Sequence, residues 1–201
     1  MPRPVVRLTE RPDAAPALVA WVRDFDEEAA HAFARDVAAI RTTRQPVCPV
    51  VIDSPGGDAY SLLGMLDVLA LVDVPVVTIA LGKAMSCGAA LFTCGQFRYI
   101  APGATLLFHD VMSTPVAGRA EEQQVNVDET RRLNLLVWER MSTNLGKPPR
   151  WLRDQRPKNG IADWYLTARE AVRLGVATHV GVPLFEVRQR LDPLLGAGGE
   201  R

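Results

Sequence analysis

The sequence predicts an α/β fold in one domain, and three observations carry that prediction. Short β-branched runs alternate with helix-periodic stretches from Leu18 onward. Two of the buried strands end in glycine-marked turns that lead directly into helices. At 201 residues, with 48% apolar and 23% charged side chains, the chain can bury one proper core and is short for two.

Taken in order, residues 1–17 hold four prolines and little periodicity, which predicts an arm or loop. LVAWVR (Leu18–Arg23) reads as a strand. Asp24 or Asp26 can cap a helix to about Arg41, with Ala30, Phe33, Ala34, Val37 and Ala38 on one face. PVVI (Pro49–Ile52) is a short buried strand stopped by Ser54-Pro55-Gly56-Gly57, and a helix follows from about Ala59 to Val72. VVTIAL (Val76–Leu81) is a further strand, closed by Gly82. Ser86 to about Cys94 is a helix of small residues, and Phe97–Ile100 and Thr105–His109 are strands.

A polar helix then spans about Arg119 to Leu145, with an apolar stripe of Leu133, Leu136, Val137 and Met141 and a pairing of Asp128 with Arg132. So thin a stripe on so long a helix suggests an element projecting from the body or resting on a neighbouring subunit. After a short helix (Pro149–Gln155) comes a strand at Trp164–Leu166. Thr167 with Glu170 forms a capping box for a helix that Gly175 ends. A single domain over 18–195 is expected, with the projecting part over about 111–146 and a tail at 196–201.

Composition excludes several functions. Lys plus Arg and Asp plus Glu balance at 23 each and form no basic run, so there is no field to attract nucleic acid. No apolar stretch approaches the ~20 residues that cross a bilayer. The proline- and charge-bearing start is a poor signal peptide. Cys48, Cys87 and Cys94 are odd in number and sit among apolar residues. They read as free buried thiols, which favours a cytoplasmic location. No H-E-x-x-H, C-x-x-C or His/Cys cluster suggests a metal.

The chemistry concentrates in Asp53-Ser-Pro-Gly-Gly-Asp58 and Gly82-Lys-Ala-Met-Ser-Cys-Gly-Ala89. A strand-to-helix turn exposes the unpaired first N–H groups of the helix beside the positive end of its dipole. A serine there sits where backbone donors can hold an oxyanion. Ser86 also reads as an ordinary helix N-cap, and Gly56-Gly57 as a Pro-Gly type II turn. Position 84 is alanine, so the G-x-S-x-G elbow is absent. His109, ending the run Thr105-Leu-Leu-Phe, is a structural side chain or a base. Asp163 is a loop-to-strand residue or a base's partner. Lys83 is too close to Ser86 in the same turn to act on it.

Together these segments are more specific than any one of them. VIDSPGGDAYSLLGMLDVL, VPVVTIALGKAMSCGAALFTCG, ATLLFHD and DWYLTAREAVRLGVATHVG closely resemble the proteolytic subunit of the Clp protease, the ClpP family. That family reads N-S-P-G-G, G-x-A-A-S-M-G-A, M-I-H-Q-P and D-x-F-L-S-A-x-E-A, and the resemblance runs from about Leu18 to Val182. It implies a ClpP/crotonase-like spiral of β-β-α units with a projecting helical handle. It implies a catalytic triad of Ser86, His109 and Asp163, with Asp154 the alternative third member. The backbone N–H groups of Gly57 and Cys87 become the oxyanion donors. Gly56, Asp110, Val111 and Met112 become substrate-binding positions, where a peptide adds as a β-strand.

The implied protein is a serine endopeptidase acting on unfolded polypeptides inside stacked seven-membered rings of its own copies, a tetradecamer, with an AAA+ unfoldase as possible partner. The hydrolysis itself needs no cofactor, since any ATP is spent by a separate chain.

Several departures stand out. Asp110–Pro115 replaces the family's Q-P-x-G-G, about four extra residues precede Asp163, and Pro49 and Val51 replace aromatics of the unfoldase docking pocket. A catalytically silent ring subunit and an acyl-CoA enzyme of the crotonase superfamily are the competing readings.

Overall fold

The structure, a computed structural model, describes residues 17–112, 118–157 and 163–183. The expected arm (apart from Ala17), residues 184–195 of the expected domain and the 196–201 tail lie outside the described residues. So do Pro115 and Ala162.

The described elements run β1 (Ala20–Val22), α1 (Glu27–Thr42), β2 (Cys48–Ser54), α2 (Ala59–Ala70), β3 (Val76–Met85), α3 (Cys87–Phe92), β4 (Phe97–Ile100), β5 (Thr105–Phe108), α4 (Ala120–Asn144), α5 (Trp151–Asp154), β6 (Trp164–Thr167), α6 (Ala168–Leu174) and β7 (His179–Val180). This is the expected α/β alternation. The strands form one mostly parallel sheet in the order β1-β2-β3-β4-β7. β5 joins β3 in parallel, and β6 pairs antiparallel with β5.

Local chemistry accounts for the element ends. Asp26, not Asp24, caps α1: its Oδ1 accepts the Ala29 N–H at 2.7 Å. Asp58 caps α2 through Ser61 N–H, also at 2.7 Å. The Thr167–Glu170 capping box forms as expected, and Gly175 ends α6 with φ 78°. β2 is buried along nearly its whole length, as a parallel strand covered on both faces must be. The core joins Phe33 of α1, Ile52 of β2, Met65 of α2, Phe92 of α3 and Trp138 of α4, each at most 2% exposed. Burying each such side chain is worth ~1.5–3 kcal/mol.

Four sequence readings need correcting. Gly82 does not close β3: the strand takes φ +61° there and continues to Met85. The positive φ serves a bulge, because Ile52 and Ser54 of β2 oppose Ala80 and Ala84 of β3. Across it β3 changes partner, from β4 (Val77–Ala80) to β5 (Lys83–Met85). On α4 the buried stripe is Leu133, Val137, Trp138 and Met141, while Leu136 is exposed. Trp138 goes inward because its indole N–H has a partner on another element, described below. Asp128 pairs with Arg131 at 3.0 Å, leaving Arg132 to Glu129 at 2.7 Å. The α1 face also differs, since Ala38 is exposed and Ile40 completes the buried row.

Candidate active site

Ser86 stands between the end of β3 and the first residue of α3, with φ 53° and ψ −116°. A side chain at positive φ costs on the order of 1–3 kcal/mol and persists only where the surroundings enforce it. Here Ser86 N–H donates to the Leu107 carbonyl at 2.9 Å, and the Ser86 carbonyl accepts from Ala90 N–H at 3.0 Å. The side chain makes no cap hydrogen bond to α3. Ser86 is thus the N-cap of α3 by position and through its carbonyl, while its hydroxyl makes no capping bond to the helix main chain.

Against it packs the other turn. Gly56 has φ 106°, and a Cβ there would lie 2.7 Å from Ser86 Cβ. A Cβ on Gly57 would lie 2.5 Å from the Phe25 carbonyl oxygen. Both positions thus need glycine for close approach as well as for the turn. The Cys87 thiol ties the two turns together by donating to the Gly57 carbonyl at 3.2 Å. Burial pushes that thiol up to about 11, so at neutral pH it is a donor and not a thiolate nucleophile. Lys83 turns to Asp53 at 3.3 Å, a contact that occupies its ammonium.

His109 follows β5 directly. In the β5–β6 ladder Phe108 opposes Trp164. The ladder ends at that pair, and His109 and Asp163 are the next residues beyond it. Asp154, by contrast, lies exposed on the short α5. In the structure the His109 Nδ1 is 2.7 Å from the Asp110 main-chain carbonyl. His31 is exposed on α1 and His179 stacks on Tyr99 at 4.6 Å, so neither competes as a base.

Ser86, Cys87, Gly57 and His109 line one open cavity of about 570 Å3. Met112, Tyr60 and Glu129 form part of its rim. Asp110 and Asp163 are not among the lining residues. A small apolar recess of about 20 Å3 continues from Ser86 and His109 between Leu62, Phe108, Val137 and Met141.

The segment after His109 is gripped by α4. The Asp110 carboxylate accepts from Trp138 Nε1 at 2.9 Å and from Arg156 at 3.1 Å to each oxygen, and the guanidinium lies 5.3 Å from the Trp138 ring centre. Burial works to raise this carboxyl, but the Arg156 and Trp138 hydrogen bonds outweigh it, and the net shift is downward. Val111 N–H donates to Asn134 Oδ1 at 2.6 Å, and its carbonyl accepts from Asn134 Nδ2 at 3.2 Å. Both main-chain groups that an added strand would use at Val111 are thus engaged by Asn134. Met112 is 80% exposed.

Sequence reasoning missed the far wall of this cavity. Tyr60 of α2 donates to Glu129 of α4 at 2.6 Å, and Arg132 grips the same carboxylate twice at 2.7 Å. These hydrogen bonds, from Arg132 first and then Tyr60, hold Glu129 down at about 2. The Glu129–Arg132 spacing was open to reading. Tyr60, 69 residues from Glu129, left no local signal. Among the described residues no group of three or more His, Cys, Asp and Glu side chains could hold a metal, and no helix is long and apolar enough to cross a membrane.

Comparison with known proteins places the chain in a family. Residues 19–183 match the Clp protease family. Among curated relatives, ATP-dependent Clp protease proteolytic subunit 2 of Corynebacterium jeikeium is 30% identical over 131 residues, 64% of this chain and 61% of that protein. Proteolytic subunit 1 of Rhodococcus jostii is 28% identical over 131 residues, 64% of this chain and 58% of that protein. The corresponding subunit 1 of Corynebacterium efficiens is 29% identical, again over 64% of this chain and 61% of its own length. The aligned segment thus spans about three fifths of these relatives. With the family match covering most of its residues, this chain belongs to the Clp protease family.

Proposed function

We propose that this chain is a serine endopeptidase that hydrolyses peptide bonds of unfolded polypeptides. The observation that carries the reading is Ser86 itself. It is held at positive φ on a strand-to-helix turn, makes no capping bond through its hydroxyl, and shares one cavity with His109. Conformational strain of this kind is retained where a site uses it.

In the proposed reaction His109 takes the Ser86 proton as Oγ attacks the scissile carbonyl carbon. The resulting oxyanion lies against the N–H groups of Gly57 and Cys87. As the C–N bond breaks, His109 returns the proton to the leaving amine and an acyl-serine remains. A water then attacks that ester, giving its proton to His109, which passes it to Ser86 as the acid product leaves. Asp163, the residue next beyond the Trp164 end of the β5–β6 ladder, is the proposed third member, and it stabilises the imidazolium. Gly56 and the 110–112 segment are the proposed substrate-binding positions, with contact made through the exposed Met112 and not through the main-chain groups of Val111, which Asn134 engages.

Assembly into heptameric rings, association with an AAA+ unfoldase and a cytoplasmic location belong to the same proposal. They rest on family membership and on the relatives being proteolytic subunits of an ATP-dependent protease.

A serine-directed fluorophosphonate followed by peptide mass spectrometry tests the reading directly. Adduct on Ser86 is expected, together with loss of unfolded-casein cleavage by at least ~10⁴-fold in Ser86→Ala. Equal residual cleavage by parent and Ser86→Ala, with no adduct, would leave a non-catalytic ring subunit.

A further inference from the structure

The groups around His109 form a chain of contacts that begins outside the cavity. The Asp110 carbonyl and the Val111 N–H are two ends of one planar peptide unit. In a trans peptide they point in opposite directions, so fixing one aims the other. Asn134 Oδ1 holds the N–H end at 2.6 Å, while the carbonyl end lies 2.7 Å from His109 Nδ1. A carbonyl only accepts, so at that contact Nδ1 carries the proton and Nε2 keeps its lone pair. That is the tautomer a base must have to receive a proton from serine.

The peptide unit is braced further on either side. Asn134 Nδ2 returns to the Val111 carbonyl, and the Asp110 side chain is clamped by Trp138 and Arg156. Asn134 and Trp138 are i, i+4 neighbours on one face of α4, as gripping a single short segment requires.

We infer that Asn134 and Asp110 are positioning residues for the proposed hydrolysis: they hold the 110–111 peptide plane so that its carbonyl keeps the proton of neutral His109 on Nδ1. This rests on the peptidase reading for its consequence but not for its measurement. The roles of the two acceptors then divide. The main-chain carbonyl sets the resting tautomer, and the Asp163 carboxylate serves the imidazolium that forms during attack. Hydrogen bonds in series polarise one another, so losing the Asn134 end weakens the His109 end.

The test uses the full-length protein. Asn134→Leu keeps the branched shape and the number of side-chain heavy atoms and removes both hydrogen bonds. Asp110→Ala removes the carboxylate clamp, and Trp138→Phe removes the indole donor while keeping an aromatic ring in the core, covering the case in which the other two fail to fold. Peptide turnover and the ¹⁵N spectrum of the neutral imidazole, assigned by difference against His109→Ala, are recorded for each.

The expected result is a 10- to 100-fold fall in kcat for Asn134→Leu with KM within about twofold, and a smaller fall for Trp138→Phe. Asn134→Asp, which still accepts from Val111 N–H, is expected to recover part of the loss. The His109 spectrum is expected to move from protonated Nδ1 in the parent towards protonated Nε2 in the variants. An unchanged tautomer in folded variants overturns the inference, as does a parent whose neutral His109 carries its proton on Nε2. A parent with the expected tautomer but no Ser86 adduct would instead sink the peptidase reading and leave the peptide-plane geometry standing.

Discussion

The two walls of the cavity are held by different forces. On the nucleophile's side, main chain packs on main chain. Gly56 lies against Ser86 and Gly57 against Phe25, and β3 delivers Ser86 from the middle of the sheet. On the side of α4, a few polar side chains carry the attachment: Tyr60–Glu129, Asn134–Val111, Trp138–Asp110 and Arg140–Asp67, above a single apolar stripe. Close-packed backbone has no small adjustment available, so changes on the first wall are expected to act all-or-none. These hydrogen bonds are separate and can be lost one at a time, with water able to replace the exposed ones, so changes on the second wall are expected to be graded.

Mutations at Gly56, Cys87 and Tyr60 sharpen that contrast. The largest effect is expected for Gly56→Ala. Its Cβ would meet Ser86 at 2.7 Å in a backbone conformation that alanine avoids. Phosphonate labelling of Ser86 should fall by at least ~100-fold, and urea denaturation should show a loss of about 1–3 kcal/mol. A near-normal labelling rate would mean that the backbone wall yields after all.

Cys87→Ala comes next. It deletes the thiol that ties Gly57 to α3 and should lower kcat by a few-fold while costing about 1 kcal/mol in the same denaturation assay. Cys87→Ser, which keeps a donor, is expected to lose less.

The smallest effect is expected at Tyr60→Phe, and it should depend on pH. Glu129 titrates lower in the folded protein than its ordinary value of 4.5. Its contribution is therefore complete above that value and is lost as pH falls towards about 2. The Tm difference between parent and Tyr60→Phe should accordingly be small near neutrality and vanish in acid, since these groups are largely solvent-exposed. A difference that grows on acidification would contradict the assignment.

What the sequence made legible divides along the same line. The turns around Ser86 and Gly57 could be read because glycine, proline and serine are demanded there by backbone geometry, which is local. Thr167 and Glu170 could be read as a capping box for the same reason. β3 was read short because a positive φ at Gly82 ordinarily ends a strand. Here β5 takes over as partner, a fact held only in the tertiary arrangement. The apolar stripe read on α4 includes Leu136 and omits Trp138, whose indole partner, Asp110, lies 28 residues away along the chain. Asp163 and Asp154 differ in their place in the fold, Asp163 next to the β5–β6 ladder and Asp154 exposed on α5, a difference that no spacing along the chain expresses. Side chains joining distant elements, such as Tyr60 to Glu129 and Asn134 to Val111, carry no periodic signature.

The change of partner along β3 has a further consequence. β5 and β6 form a two-stranded ribbon that meets the rest of the sheet along Lys83–Met85 alone, with the Ser86 N–H as the next tie. His109 and Asp163 both ride on that ribbon, whereas the serine belongs to the sheet. In the proposed reaction, a tilt of the ribbon would therefore change the reach from the His109 imidazole to the Ser86 hydroxyl, because the two groups are carried by different parts of the sheet.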